Sequence, residues 1–345
     1  MKKILKKIIF MVLCCCSSLL LAELDPKSPP TDDLDFVEMQ QKIDAMLPDQ
    51  AGLLKFSPIF QVRFAAWPEG ISGAGALFQE AFKGYSFKTD NNLVLFLDQD
   101  SRSIFEIDSS LLRQRLLASD YMQKNIQFAD FCRLRDGGLA IADNGRSSLL
   151  FFKDNRFNRN VGFDGRRIFF RHIEFVEADR LGLNLVVFDS GRNHTYVFDR
   201  NGNLQWELDG RTEPMFYGNS LIRLEKNENV LKIQKISNLN KTPADIATYE
   251  CQPGNIILDA WAAGTFAGRL AVVIYEGRGD EDHPDYARLL LVKDQSLKIL
   301  KFKPNLDLRL SLTNPYRLLF GKKGLQLVTL RISTAGIEIM AAEIK

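Results

Sequence analysis

The residues of this 345-residue chain best suited to chemistry are acids that recur at nearly constant spacing. Asp98, Asp143, Asp189, Glu225 and Glu276 each follow an apolar run and precede a turn, and Arg331 occupies the equivalent place in a last copy. Carboxylates at repeated places in a cyclic fold offer hard oxygens for a cation. An Asp that opens a turn, however, more often accepts hydrogen bonds from its own backbone. A single central site would also need different residues from different repeats, so we expect these acids to be structural. The turn arginines Arg102, Arg146 and Arg192 are expected either to brace the turns or to form a shallow anion-binding rim. His194, two residues after Arg192, is the best-placed titratable group, although the sequence shows no partner for it.

A second group is the loop "EGRGDEDHPDYAR", Glu276 to Arg288, which interrupts a hairpin that other copies close in about four residues. Asp280, Glu281, Asp282 and Asp285 carry the oxygen ligands that calcium takes, but without the Asp-x-Asp-x-Asp-Gly order of a calcium loop. We therefore predict no cofactor, with calcium as the one ion the loop suits. Nucleophile elbows, HExxH pairs, phosphate-binding glycine loops and CxxC motifs are all missing, and there are only three histidines, His172, His194 and His283.

The elements that carry these residues are strands. The acids lie 45, 46, 36, 51 and 55 residues apart, and each copy reads strand, Gly/Asn turn, strand, turn, strand. "RDGGL", "DNGRS", "DRNGN" and "KNEN" are hairpin chemistry. Val, Ile, Leu and Phe alternate between them, as on a half-buried pleated surface. Most copies offer a fourth strand, such as "LQWELD". Four strands in about 45 residues is the period of a propeller blade. The fold expected is all-β, a six-bladed β-propeller of four-stranded antiparallel blades over residues 57–345. The last copy runs out after three strands, so "SPIFQVRFA", Ser57 to Ala65, should pair with it and close the ring, because open strand edges promote aggregation.

"DGGLAIADNGRSSLLFFKD" and "NLVVFDSGRNHTYVFDRNG" resemble the NHL-type β-propeller repeat. The pattern runs Asp-Gly, apolar strand, Asp, Ser/Asn-Gly turn, Arg or His, apolar strand, Phe-Asp, Gly. The likeness extends to residues 87–108 and does not continue past residue 210. It implies a propeller that mostly binds partners, with lactonases and lyases among related propellers.

The N-terminal "MKKILKKIIFMVLCCCSSLLLAEL" has the order of a secretory signal: four lysines, an apolar run and small Ala22. The run is short for a membrane span. We expect removal of residues 1–22, a periplasmic or secreted bacterial protein, and no span in the mature chain. Cleavage leaves 41 basic residues against 43 acidic, so the full chain's net charge of +2 becomes −2 and no footprint for nucleic acid remains. Residues 23–56 should hold a Pro-rich linker and a short helix capped by Asp35 and Glu38, with Phe36, Met39, Ile43 and Met46 on one face. Cys132 and Cys251 alone would survive, and we expect them buried and unlinked.

Two functions from different classes fit. One is a non-catalytic propeller that binds a protein or cell-envelope partner through the rim of turns carrying Arg102, Arg146, Arg192, His194 and the acidic loop. The other is a metal-dependent, lactonase-like hydrolase with its site in the central channel. Convergence of three or four Asp, Glu or Asn side chains around that channel would favour the second.

Overall fold

Why the hairpin grammar repeats is visible in the sheets. The structure, a computed structural model, describes residues 53–63, 85–90, 93–98, 103–108, 111–116, 126–162, 170–179, 181–239, 241–278, 286–293, 295–304, 315–321, 324–333 and 336–344. Every described element is a strand, and six antiparallel four-stranded meanders form a six-bladed β-propeller. The expected signal over residues 1–22, the expected helix and the expected linker up to residue 52 lie outside the described residues, as do residues 279 to 285.

Blade 1 is β3 (Tyr85–Asp90), β4 (Leu93–Asp98), β5 (Ser103–Asp108) and β6 (Leu111–Leu116). Blade 2 is β7 (Phe128–Arg133), β8 (Leu139–Asp143), β9 (Ser148–Lys153) and β10 (Arg156–Val161). Blade 3 is β11 (Ile173–Ala178), β12 (Asn184–Asp189), β13 (His194–Asp199) and β14 (Leu204–Asp209). Blade 4 is β15 (Phe216–Tyr217), β16 (Ser220–Asn227), β17 (Val230–Ser237) and β18 (Ala244–Glu250). Blade 5 is β19 (Asn255–Phe266), β20 (Arg269–Arg278), β21 (Tyr286–Lys293) and β22 (Ser296–Phe302). Blade 6 is β23 (Tyr316–Gly321), β24 (Gly324–Ser333), β25 (Gly336–Glu343) and the N-terminal β2 (Ser57–Arg63).

The predicted closure is present: β2 pairs antiparallel with β25, from Ser57 opposite Ala341 to Arg63 opposite Gly336. The chain adds a second tie that nothing in its pattern announced. The two-residue β1 (Leu53–Leu54) runs parallel to the outer strand of blade 5, with Leu53 opposite Lys301. The segment before the ring thus staples blade 5 and then completes blade 6.

The core is a set of inter-blade layers. Cys132, Phe151, Val176, Val187 and Tyr196 join blades 2 and 3. Ile233, Val272, Ile274 and Leu290 join blades 4 and 5, and Trp261, Tyr275, Leu289, Tyr316 and Leu327 join blades 5 and 6. Second strands therefore have apolar side chains on both faces, as in the fully buried β8. Each Phe or Leu so buried contributes roughly 1.5–3 kcal/mol. Cys132 and Cys251 are free and buried. Burial pushes the Cys132 thiol well up, with help from Glu177, which makes it inert as a nucleophile.

The candidate functional sites at the two ends of the channel

In a meander, the second-to-third turn lies at the end of the blade where the first strand starts. The turns that follow the repeated acids thus share one face. On that face the acids of blades 2 and 3 act on backbone. Asp143 Oδ1 accepts from Gln127 N at 2.9 Å and Gly145 N at 3.1 Å. Asp189 accepts from Arg171 N and His172 N, both at 2.8 Å, and from Gly191 N at 3.1 Å. Both acids are fully buried. Their job is to tie the turn to the backbone leading into the blade's first strand. Only part of it, the bond to the turn's own glycine, was expected from sequence. Burial holds the Asp143 carboxyl above its usual range against the pull of those N–H groups.

The turn side chains beside the acids reach different partners. Asn144 Nδ2 donates to Ile173 O at 3.0 Å while its Oδ1 accepts from Ile173 N at 2.7 Å, which latches blade 2 to blade 3. Arg192 Nε sits 3.9 Å from Asp189, with its side chain about a third exposed. His194 Nδ1 is 3.0 Å from Asp209 Oδ1 and Nε2 is 3.4 Å from Glu207 Oε2, with the ring centroid 4.7 Å from that of Tyr196 and the two planes tilted by 52°. His194 thus has two acidic partners on β14, which sequence reasoning did not find. Arg146 is half-buried beside Asp143. Arg102, Asp280, Glu281, Asp282 and Asp285 lie outside the described residues. The strand ends that flank the acidic loop, Arg278 and Tyr286, emerge on the same face.

At the opposite end of the channel the six first strands converge on a cavity of about 550 Å³. Its charged lining is Lys88, Arg133, Arg135, Glu177, Asp179 and Arg317, from blades 1, 2, 3 and 6. Below it, the buried Lys88 Nζ donates to Asp130 Oδ2 at 2.9 Å, to Glu177 Oε2 at 3.0 Å and to Val176 O at 3.1 Å. Asp130 also accepts from Ser86 Oγ and from Val176 N. Arg317 Nη1 reaches Glu177 Oε2 at 3.3 Å, and its Nε donates to Phe87 O. This chain of ion pairs crosses four blades. Sequence reasoning missed it, although a signal exists: "SFKTD", "FADFC", "EFVEA" and "YRLLF" set Lys88, Asp130, Glu177 and Arg317 directly beside apolar or small residues of four first strands.

Between blades 4 and 5 lies a third buried cluster. Glu276 Oε1 accepts from Tyr249 Oη and, at 2.8 Å, from Arg288 Nε. Burial, together with the Glu276 hydrogen bond, pushes the Tyr249 hydroxyl far up, so it stays protonated. Among the described residues, no three His, Cys, Asp or Glu side chains come together in a way that would hold a metal ion, and no helix is long and apolar enough to cross a membrane.

No protein-family model matches the chain, and no curated protein matches it. Among solved structures it is similar to virginiamycin B lyase from Staphylococcus aureus, at 9% identity over 84% of this chain and 100% of that one, with a TM-score of 0.48. A streptogramin B lyase is 12% identical over 84% and 98%, with a TM-score of 0.47. Hydrazine synthase from Kuenenia stuttgartiensis is 12% identical over 71% and 76%, with a TM-score of 0.45. The propeller assignment here rests on the strand order and register of the chain itself.

Proposed function

We propose that the chain is an exported, non-catalytic β-propeller that binds a protein or cell-envelope partner through the rim of its second-to-third turns. In this reading it is a divergent NHL-type propeller, with blades 2 and 3 keeping the repeat most fully. One observation carries the proposal. Asp143 Oδ1 and both carboxylate oxygens of Asp189 are engaged by backbone N–H groups, so the turns of blades 2 and 3 are braced where they carry Arg146, Arg192 and His194. Preorganised turns with charged side chains suit recognition, because little ordering remains to be done on binding. The acidic residues Asp280, Glu281, Asp282 and Asp285 belong to the same proposed face.

The test is a paired one on the mature protein. Crosslinking in the native envelope should capture the same partner reproducibly, and it should lose that partner when Arg192 and His194 are replaced by Ser or when the four acids are neutralised. Metal analysis and a lactone-hydrolysis assay, with and without added calcium, run alongside. Stoichiometric metal together with turnover would replace the binding reading with the lactonase-like hydrolase.

A further inference from the structure

We propose that the 550 Å³ cavity at the first-to-second-turn end of the channel binds a small organic anion with an apolar body. The inference is independent of the partner-binding rim, which lies at the other end of the first strands.

Three features of the cavity define the ligand. The first is size: the volume falls within the roughly 300–1,000 Å³ typical of small-molecule sites. The second is a surplus of positive charge once internal pairs are removed. Lys88 is spent on Asp130 and Glu177, and Arg317 on Glu177. Asp179 keeps its charge but directs it at its own turn, where Leu183 N, Asn184 N and Asn184 Nδ2 all donate to it, so the four cations of the lining, Lys88, Arg133, Arg135 and Arg317, still outnumber its two acids, Glu177 and Asp179. Arg135, exposed on the wall, has no ion-pair partner among the described residues. Its position is set by the chain rather than by chance. Gly182, at φ +62°, comes so close that an added Cβ would sit 2.3 Å from Arg135 N, so the blade 3 turn presses on the backbone that carries Arg135. A guanidinium at a cavity wall pairs with a carboxylate or phosphate in a two-pronged geometry that an ammonium does not reproduce.

The third feature is an apolar lip. Leu181 and Phe320 are 59% and 47% exposed, and both line the cavity, with Leu134, Met215 and Leu318 below them. Large apolar side chains turned outward at the mouth of a charged cavity supply contact area for the uncharged part of a ligand. An inorganic anion would use only Arg135 and waste the lip, and a neutral apolar molecule would leave Arg135 unused.

Calorimetric titration of the full mature chain tests this with three matched probes. 4-Phenylbutyrate carries both parts, 4-phenylbutan-1-ol only the body, and acetate only the charge. We expect 4-phenylbutyrate to bind at least about tenfold more tightly than either of the others. Arg135→Gln should weaken it about tenfold, Arg135→Lys less, and the paired Leu181→Ser, Phe320→Ser change by a similar factor. All of these side chains are exposed, so folding should survive, and Lys232→Gln in the outer part of blade 4 controls for net charge. Phenyl phosphate and 1-anilinonaphthalene-8-sulfonate extend the series to other anionic heads. The proposal is overturned if none of 4-phenylbutyrate, phenyl phosphate and 1-anilinonaphthalene-8-sulfonate saturates the protein. It is equally overturned if alcohol and acid bind alike, or if Arg135→Gln and Lys232→Gln have the same effect.

Discussion

Blades 2 and 3 use the strand-ending acid in one way and blade 5 in another. In the former, Asp143 and Asp189 turn back onto backbone N–H groups at the start of their own blade and close a four-residue turn. In the latter, Glu276 is one methylene longer and faces inward, where it takes Tyr249 from blade 4 and Arg288 from its own blade. The consequence reaches the loop. A turn closed by its own acid is held to a fixed length. The blade 5 turn, whose acid is engaged elsewhere, is free to carry seven residues between Arg278 and Tyr286. Repetition preserved the acid's place while its task changed, from bracing one blade to bolting two together.

The largest test of that difference is Glu276→Ala. It would strand the Arg288 guanidinium, which is about 5% exposed, without its counter-charge. Removing one partner of a buried ion pair costs about 3–5 kcal/mol, so urea unfolding should shift by that order. Glu276→Gln should recover part of the loss by still accepting from Tyr249. A cost below about 0.5 kcal/mol would mean that the pair contributes no more than a surface bridge and would remove the contrast with blades 2 and 3.

Asp189→Ala comes next, at about 2–3 kcal/mol, because it leaves the N–H groups of Arg171, His172 and Gly191 without their acceptor. Its signature is spatial: amide exchange should accelerate at 171, 172 and 191 and hardly at all in blade 5. Uniform acceleration around the ring would show that the acid is not a local brace. Asn144→Ala should cost less, about 1–2 kcal/mol, since only the paired bonds to Ile173 are lost.

These contrasts also mark how far the sequence could be read. The ring of six, its closure by Ser57–Arg63 and the turns at Asp98, Asp143 and Asp189 follow from period-2 apolar patterning and turn residues, which are local properties. The ends of the second strands in blades 4, 5 and 6 did not follow. β16, β20 and β24 run two residues beyond Glu225, Glu276 and Arg331, because a polar pair such as Lys226–Asn227 suits a strand end and a turn equally well. The channel network was hidden for a different reason. Lys88, Asp130, Glu177 and Arg317 lie on four different first strands far apart in the chain, and only ring closure brings residue 317 beside residues 87 and 177.

The smallest expected effect depends on pH and lies at the junction of blades 4 and 5. Glu213 precedes β15, is buried, and accepts from Ala262 N on β19 at 2.9 Å. Its environment differs from that of the Glu276 cluster. Arg211, Arg317 and Asp259 act on Glu213 from a distance, and burial outweighs the two arginines and holds its carboxyl above the usual range. A carboxyl with a raised folded pKa favours folding through its protonated form. That contribution is complete below the ordinary value of 4.5 and is lost as the pH climbs through the folded pKa. Glu213→Gln keeps an oxygen for Ala262 N and cannot ionise. The variant and the parent should therefore be equally dependent on pH below 4.5. Above it the parent should lose stability relative to the variant, and the gap should become constant once Glu213 is fully ionised. A gap that narrows as pH rises would mean that Arg211 and Arg317 outweigh burial. Glu213 would then be a second inter-blade ion pair of the Glu276 kind, and the blade 4–5 junction would be held by charge at both of its acids.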